Sequence, residues 1–199
     1  MARISSHQGD QNLTFRGIPN ESRQRAVGIN ELAGTKFKVV SGYPGGNEIT
    51  LALEKGEVEG YCGWAISSIR QRSAEWIKQG KIRFLTQFAL SKNPDFPDVP
   101  LAMDLPATET GRRAIEFISS DSINAWPLIA PPGTPADRVE LLRGALEAML
   151  RDRAIIAEAE REGMDIDVIP GRDLESVVRR LYASPPEVVA LVRKFSEAR

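Results

Sequence analysis

The residues best suited to chemistry lie in one run, Gly34-Thr-Lys-Phe-Lys-Val-Val-Ser-Gly-Tyr-Pro-Gly-Gly-Asn-Glu-Ile49. Phe37, Val39 and Val40 belong to a short β-rich stretch. Ser41, Gly42, Tyr43, Pro44, Gly45 and Gly46 make a loop. Asn47 is placed to cap a helix carrying Glu48, Ile49, Leu51, Ala52 and Leu53. A strand that passes through a glycine loop into a helix start presents unpaired N–H groups and the positive end of a helix dipole. That arrangement suits a carboxylate or a phosphate, and the glycines let a ligand approach the backbone closely. The spacing is neither that of a Walker loop nor that of the dinucleotide fingerprint. A plain strand-to-helix turn fits the same residues equally well.

Other chemistry-bearing side chains are sparse. Trp64, Ser67 and Ser68 follow a short strand and open a helix, where a serine caps the helix or donates to an anion; one of the two is expected to cap. Trp64 suits a cleft wall or a core. Cys62 is the sole cysteine and His7 the sole histidine. Cys62 reads as a small buried residue with no base beside it in sequence. A cysteine-based or zinc centre and a histidine-based triad are therefore not expected. Asp95, Asp98 and Asp104 lack the spacing of a calcium loop and read as turn formers. The pairs Arg112–Arg113 and Arg179–Arg180 stand beside acidic residues and read as surface charge. Trp126 and Pro127 suit a hinge or a core.

The elements that must position these residues alternate between strand and helix, which predicts an α/β layered fold with a mainly parallel sheet. A first helix runs from about Asn47 to a stop at Gly56. Residues 58–61 form a short strand, and a helix over 65–78 turns Ile66, Ile69 and Trp76 inward and ends at Gly80. Residues 82–89 are the clearest strand. Residues 91–100, with three prolines, form an ordered surface loop. Thr108 caps a helix through Ile118. Residues 125–130 read as a buried strand closed by Pro131, Pro132 and Gly133. Helices follow from near Pro135, striped by Val139, Leu142, Leu146 and Met149, and over 153–162, ending at Gly163. A short strand over 166–169 leads to a helix striped by Leu174, Val177, Val178 and Leu181. Pro185 and Pro186 open a last helix with Val188, Val189, Val192 and Phe195.

At 199 residues the chain is long enough for one large or two small domains, and 42% hydrophobic content supports a core. The net charge of −1 gives no reason to expect nucleic acid or an acidic membrane surface. No apolar run approaches a transmembrane helix in length, and no charged-then-apolar leader opens the sequence.

Five short motifs resemble one family in order and spacing. They are the run from Gly34 to Gly46; Leu51-Ala-Leu-Glu-Lys-Gly-Glu-Val-Glu-Gly60 followed by Tyr61-Cys-Gly-Trp-Ala-Ile-Ser-Ser68; Pro94-Asp-Phe-Pro-Asp-Val-Pro100; Ala130-Pro-Pro-Gly-Thr-Pro-Ala-Asp-Arg138; and Tyr182-Ala-Ser-Pro-Pro-Glu-Val188. Together they resemble the Bug/TctC family, the periplasmic solute-binding receptors of tripartite tricarboxylate transporters. The likeness extends from about residue 30 to the C-terminus.

The resemblance implies a type II periplasmic-binding-protein-like fold, with one nearly complete lobe plus the C-terminal part of the other. Residues 30–122 would be the second, ligand-cleft lobe and 123–199 the C-terminal portion of the first, with a boundary near 119–124. Residues 1–29 do not follow the family and are polar and unpatterned, so a loop-like or disordered stretch is expected there. An N-terminally truncated copy is expected, since the family's leader and opening half-lobe find no counterpart. By resemblance the ligand is a small carboxylate, with Gly42, Tyr43, Pro44, Gly45, Gly46, Glu48, Trp64 and Ser67 as ligand-binding residues. Backbone N–H groups would then hold the carboxylate, since no arginine is near the loop in sequence. Glu48 either complements the helix dipole or orients a water or a ligand hydroxyl. No cofactor, metal or catalytic residue is implied. Transporter subunits are the implied partners and the periplasm the implied location; a chain without a leader would stay in the cytoplasm.

Two competing functions remain open. One is a non-binding fragment that self-associates through its incomplete lobe, because the stripes after residue 125 need cover and two short strands cannot make a stable sheet. The other is an α/β enzyme, disfavoured because no nucleophile–base pair, cofactor fingerprint or metal cluster stands out.

Overall fold

The computed structural model of the chain describes residues 14–16, 21–123, 127–162, 164, 166 and 168–197. Its core is built by three helices that meet across the length of the sequence: α1 (Glu21–Ala33), α4 (Glu109–Ser119) and α8 (Pro186–Glu197). Each contributes a stripe at helical spacing. Ala26 and Ile29 come from α1, Ala114, Ile115 and Ile118 from α4, and Val188, Val192 and Phe195 from α8, all buried. Ala102 and Met103, from a short 3₁₀ turn, close the cluster. Burying each of the large members stabilises by about 1.5–3 kcal/mol. Gly28 lets α1 come close, since a Cβ there would lie 3.2 Å from the Ile115 Cδ1 and 3.3 Å from the Ile118 Cδ1. Lys194 donates to Glu31 at 2.7 Å and Gln24 to Ser196 at 2.8 Å, fastening α8 along α1 at the surface.

A small parallel sheet stands beside this core. β1 (Thr14–Arg16) lies in the centre, with β2 (Lys38–Val40) on one side and β3 (Gly60–Tyr61) on the other. α2 (Gly46–Glu54) follows β2 and buries Ile49 and Ala52. α3 (Ile66–Lys78) follows β3, buries Ile69 and is kinked at Ser73. Gly56 and Gly80 take positive φ just past the two helices, as the sequence predicts. The fold is thus mixed α/β with a parallel sheet, but helices dominate it.

The structure departs from several expectations. The run before residue 30 is not wholly a loop, because Thr14–Arg16 is the central strand and Glu21–Ala33 a helix. Only two positions of α1, Ala26 and Ile29, are buried apolar residues, a stripe too thin to stand out among its charges; contact with α4 and α8 holds it. Residues 82–89 do not form a strand. The alternation of apolar side chains is there, but a strand needs a neighbour for its N–H and C=O groups. Only Gln87 finds one, bridging to Leu101. Residues 127–130 are neither strand nor buried, with Leu128 at 73% and Ile129 at 84% exposure. Pro127 is exposed, which excludes a core role, and Trp126 lies outside the described residues, as does His7. Residues 166, 168 and 169 form no strand, and Gly163 is not among the described residues.

The loop over 91–100 is ordered as expected, and one side chain accounts for much of it. The Gln87 amide donates to the Phe96 and Val99 carbonyls at 2.9 and 3.0 Å and accepts from the Asn93 N–H at 2.9 Å. Phe84 and Phe96 pack ring against ring, 4.5 Å apart. Thr108 caps α4 by accepting from the Gly111 N–H at 3.1 Å. Three further helices complete the chain: α5 (Ala136–Leu150), α6 (Arg153–Arg161) and α7 (Gly171–Tyr182). Asp152 caps α6 through the Ala154 and Ile155 N–H groups. The stripe on α5 meets no core: none of the helix's residues is buried, and Leu142 and Met149 are 49% and 46% exposed. Charges join α5 to α7, with Arg143 between Glu140 and Glu175 and Arg172 on Glu140. Such exposed pairs each contribute about 0–1 kcal/mol.

Candidate functional site

The glycine loop leads from β2 into α2 as the sequence predicts, with a shifted cap. Gly42 has φ +109, a conformation that only glycine adopts without strain. The cap position belongs to Gly45, whose backbone is extended, and no side chain caps the helix. Asn47 therefore lies inside the first turn instead of capping it. The helix starts at Gly46, two residues earlier than an Asn47 cap would set it, and a Cβ at Gly46 would stand 2.9 Å from the Tyr61 hydroxyl. The Glu48 carboxylate turns back over the loop, 3.1 Å from where a Gly45 Cβ would be. There it complements the positive end of α2, the dipole role allowed for it.

Next to this loop opens a cleft of about 2080 Å³. Trp64 and Ser67 line it; Gly42, Tyr43, Pro44, Gly45, Gly46 and Glu48 do not. Tyr61 joins the two regions, since it touches Gly46 and also lines the cleft. Its ring stacks on Trp64 at 5.1 Å, and Trp64 meets Trp76 edge-on at 6.2 Å, making one aromatic wall. Burial raises the Tyr61 phenol above its ordinary range. Neither Ser67 nor Ser68 caps α3, whose cap position is Ala65 without a side-chain bond.

The cleft is also lined by an ion pair that local sequence reasoning does not find. Arg25, on α1, donates through Nη2 to the Asp121 Oδ2. Asp121 lies in a 3₁₀ turn, Ser120–Ile123, directly after α4. The two residues are 96 positions apart, and neither sits in a motif. Arg25 is 12% exposed at its side chain and Asp121 36%. The guanidinium stands over the Phe88 ring, 5.7 Å from its centroid. Gly63, which has φ +81, lies close to the same guanidinium. A Cβ at Gly63 would come within 2.7 Å of Arg25 Nη1 and 2.8 Å of Ser22 Oγ. The Arg25 Nε and the Asp121 Oδ1 are buried with no hydrogen-bond partner among the described residues.

Cys62 lines the cleft beside this pair. It keeps some exposed surface, yet the atoms crowding its sulfur push the thiol up to about 12, against the smaller opposing pull of the Arg25 charge. At neutral pH it is a thiol and a poor nucleophile. Of Asp95, Asp98 and Asp104, Asp95 pairs with Arg70 and Asp104 belongs to the 3₁₀ turn before α4. Among the described residues no group of three His, Cys, Asp or Glu side chains could hold a metal ion, and no helix is long and apolar enough to cross a membrane. Arg112, Arg113 and Arg179 pair with glutamates on their own helices, as expected of surface charge.

No family model, no curated protein and no solved structure matches this chain.

Proposed function

We propose that this chain is a solute-binding receptor-like protein for small carboxylates, of the Bug/TctC kind, serving a tripartite tricarboxylate transporter. In that reading the parallel sheet with α2 and α3 belongs to the ligand-cleft lobe of a type II periplasmic-binding-protein-like fold. The working location is the periplasm and the partners are transporter subunits.

Support comes from one piece of geometry. Gly46, at the start of α2, meets Tyr61, and Tyr61 with Trp64 forms a wall of the cleft that Ser67 and Arg25 also line. An apolar wall with a few converging polar groups is the general form of a small-molecule site. A guanidinium in the cleft favours an anion.

Calorimetry with succinate and citrate tests this reading. A few contacts of about 1–3 kcal/mol each give micromolar to millimolar affinity. Saturable binding of either acid, with 1,4-diaminobutane giving no heat, is the expected outcome. Absence of binding by both acids at 10 mM, or equal binding of the diamine, overturns it.

A second reading, self-association, is favoured by the exposed apolar run at Leu128 and Ile129 together with the unburied stripe of α5. Light scattering after gel filtration tests it: a dimer mass that falls on Leu141→Glu supports it, and a monomer at 100 μM refutes it.

A further inference from the structure

Resting on the carboxylate-receptor reading, we propose that Arg25 is the residue that takes the ligand's carboxylate, and that Asp121 occupies its place until the ligand displaces it. The pair is only half engaged. An arginine presents a planar fork that a carboxylate fills with two parallel bonds. Here one Nη2–Oδ2 contact is made, while the Arg25 Nε and the Asp121 Oδ1 are each buried with no partner among the described residues. A buried donor and a buried acceptor left over within one ion pair mark a geometry that a better-fitting carboxylate improves.

The two partners are held unequally. Arg25 stands on a core helix, with its guanidinium over the Phe88 ring and Gly63 close to its Nη1. Asp121 is on a single 3₁₀ turn and three times as exposed, at 36% against 12%. The cation is fixed, and the acid is the part that swings away. The surroundings define the ligand. Tyr61, Trp64 and Phe88 give the cleft an apolar lining suited to a short carbon skeleton, and Ser67 adds a hydroxyl. The ligand class is therefore a small mono- or dicarboxylic acid with a compact skeleton, its head on Arg25.

Release of Asp121 also frees the turn Ser120–Ile123 from α1, so that binding is felt at the exit of α4. Ligand occupancy and the position of this turn are then thermodynamically linked.

Succinate titrations by calorimetry on the full chain, the R25Q and D121N variants, and R25K decide the matter. Asp121→Asn keeps an acceptor but removes the competing charge, and tightens succinate by about tenfold or more, the equivalent of one charge-assisted hydrogen bond. Arg25→Gln weakens succinate by at least about tenfold, and Arg25→Lys, with a charge but no fork, falls between. Should Arg25→Gln unfold, shown by circular dichroism, the gain in D121N and the partial loss in R25K carry the test. Unchanged affinity in R25Q overturns the Arg25 assignment and leaves the carboxylate reading standing. D121N binding no tighter than the parent overturns displacement. Absence of binding in both the parent and D121N overturns this inference and the carboxylate reading together.

Discussion

Gly63→Ala is the substitution that most sharply probes the cleft. Two penalties combine there. At φ +81 an L-residue carries strain of about 1–2 kcal/mol. The new methyl would also lie 2.7 Å from Arg25 Nη1 and 2.8 Å from Ser22 Oγ, closer than carbon contacts allow. Arginine tips usually move aside at little cost, but this one is held by Asp121 and Phe88, and Ser22 is buried. Overpacking of that kind adds about 1–3 kcal/mol. Gly80→Ala isolates the first penalty, since Gly80 has φ +65 and no atom within 4 Å of its would-be Cβ. Urea unfolding followed by circular dichroism should give a loss of about 1–2 kcal/mol for G80A. For G63A the loss should be about 2–5 kcal/mol. The G63A variant should also bind succinate less well, because its guanidinium has shifted. A difference between the two variants under about 0.5 kcal/mol would show that Arg25 is not held as described.

Phe195→Ala, which empties the fully buried centre of the α1–α4–α8 core, should lower stability by about 3–5 kcal/mol in the same assay. Thr108→Ala should cost about 1 kcal/mol through loss of the α4 cap, and Thr108→Ser much less. Cys62 gives a pH signature. Its folded pKa is raised above the unfolded value, so its contribution is full below about pH 8.5 and is lost as pH rises toward about 12. The urea midpoint should thus fall between pH 8 and 10.5 more steeply for the parent than for Cys62→Ala; parallel curves would contradict a buried thiol.

The parts of the fold that were legible in the sequence are those whose cause is local. Thr108 and its helix, the positive-φ stops at Gly56 and Gly80, and the Val188–Val192–Phe195 stripe follow from spacing of three to seven residues. Residues 82–89 were misread because alternation reports a face, not the presence of a neighbouring strand, and only Gln87 has one. Asn47 fits a cap by local preference alone, whereas the Gly46–Tyr61 contact beside the actual helix start spans separate elements. In the site, the glycine loop, Trp64 and Ser67 carried a visible pattern. Arg25 and Asp121 did not, since each is an ordinary charged residue until the fold brings α1 against the end of α4.

The meeting of α1 and α8 also sets a timetable. Glu31 and Lys194 are 163 residues apart, so the first helix of the core emerges long before its last partner. At about 5–20 residues per second that interval is roughly 8–30 s. During it the seam that Phe195 will fill stays open, and Ile29, Ile115 and Ile118 face water or a chaperone. Closure then joins the most widely separated partners among the described residues, which slows it relative to any local pairing. A ribosome stalled before α8, or a protease that clips that single helix, leaves a chain with most of its secondary structure and an uncovered core. Quality control would therefore meet this core in two states, open before α8 arrives and closed once α8 has docked.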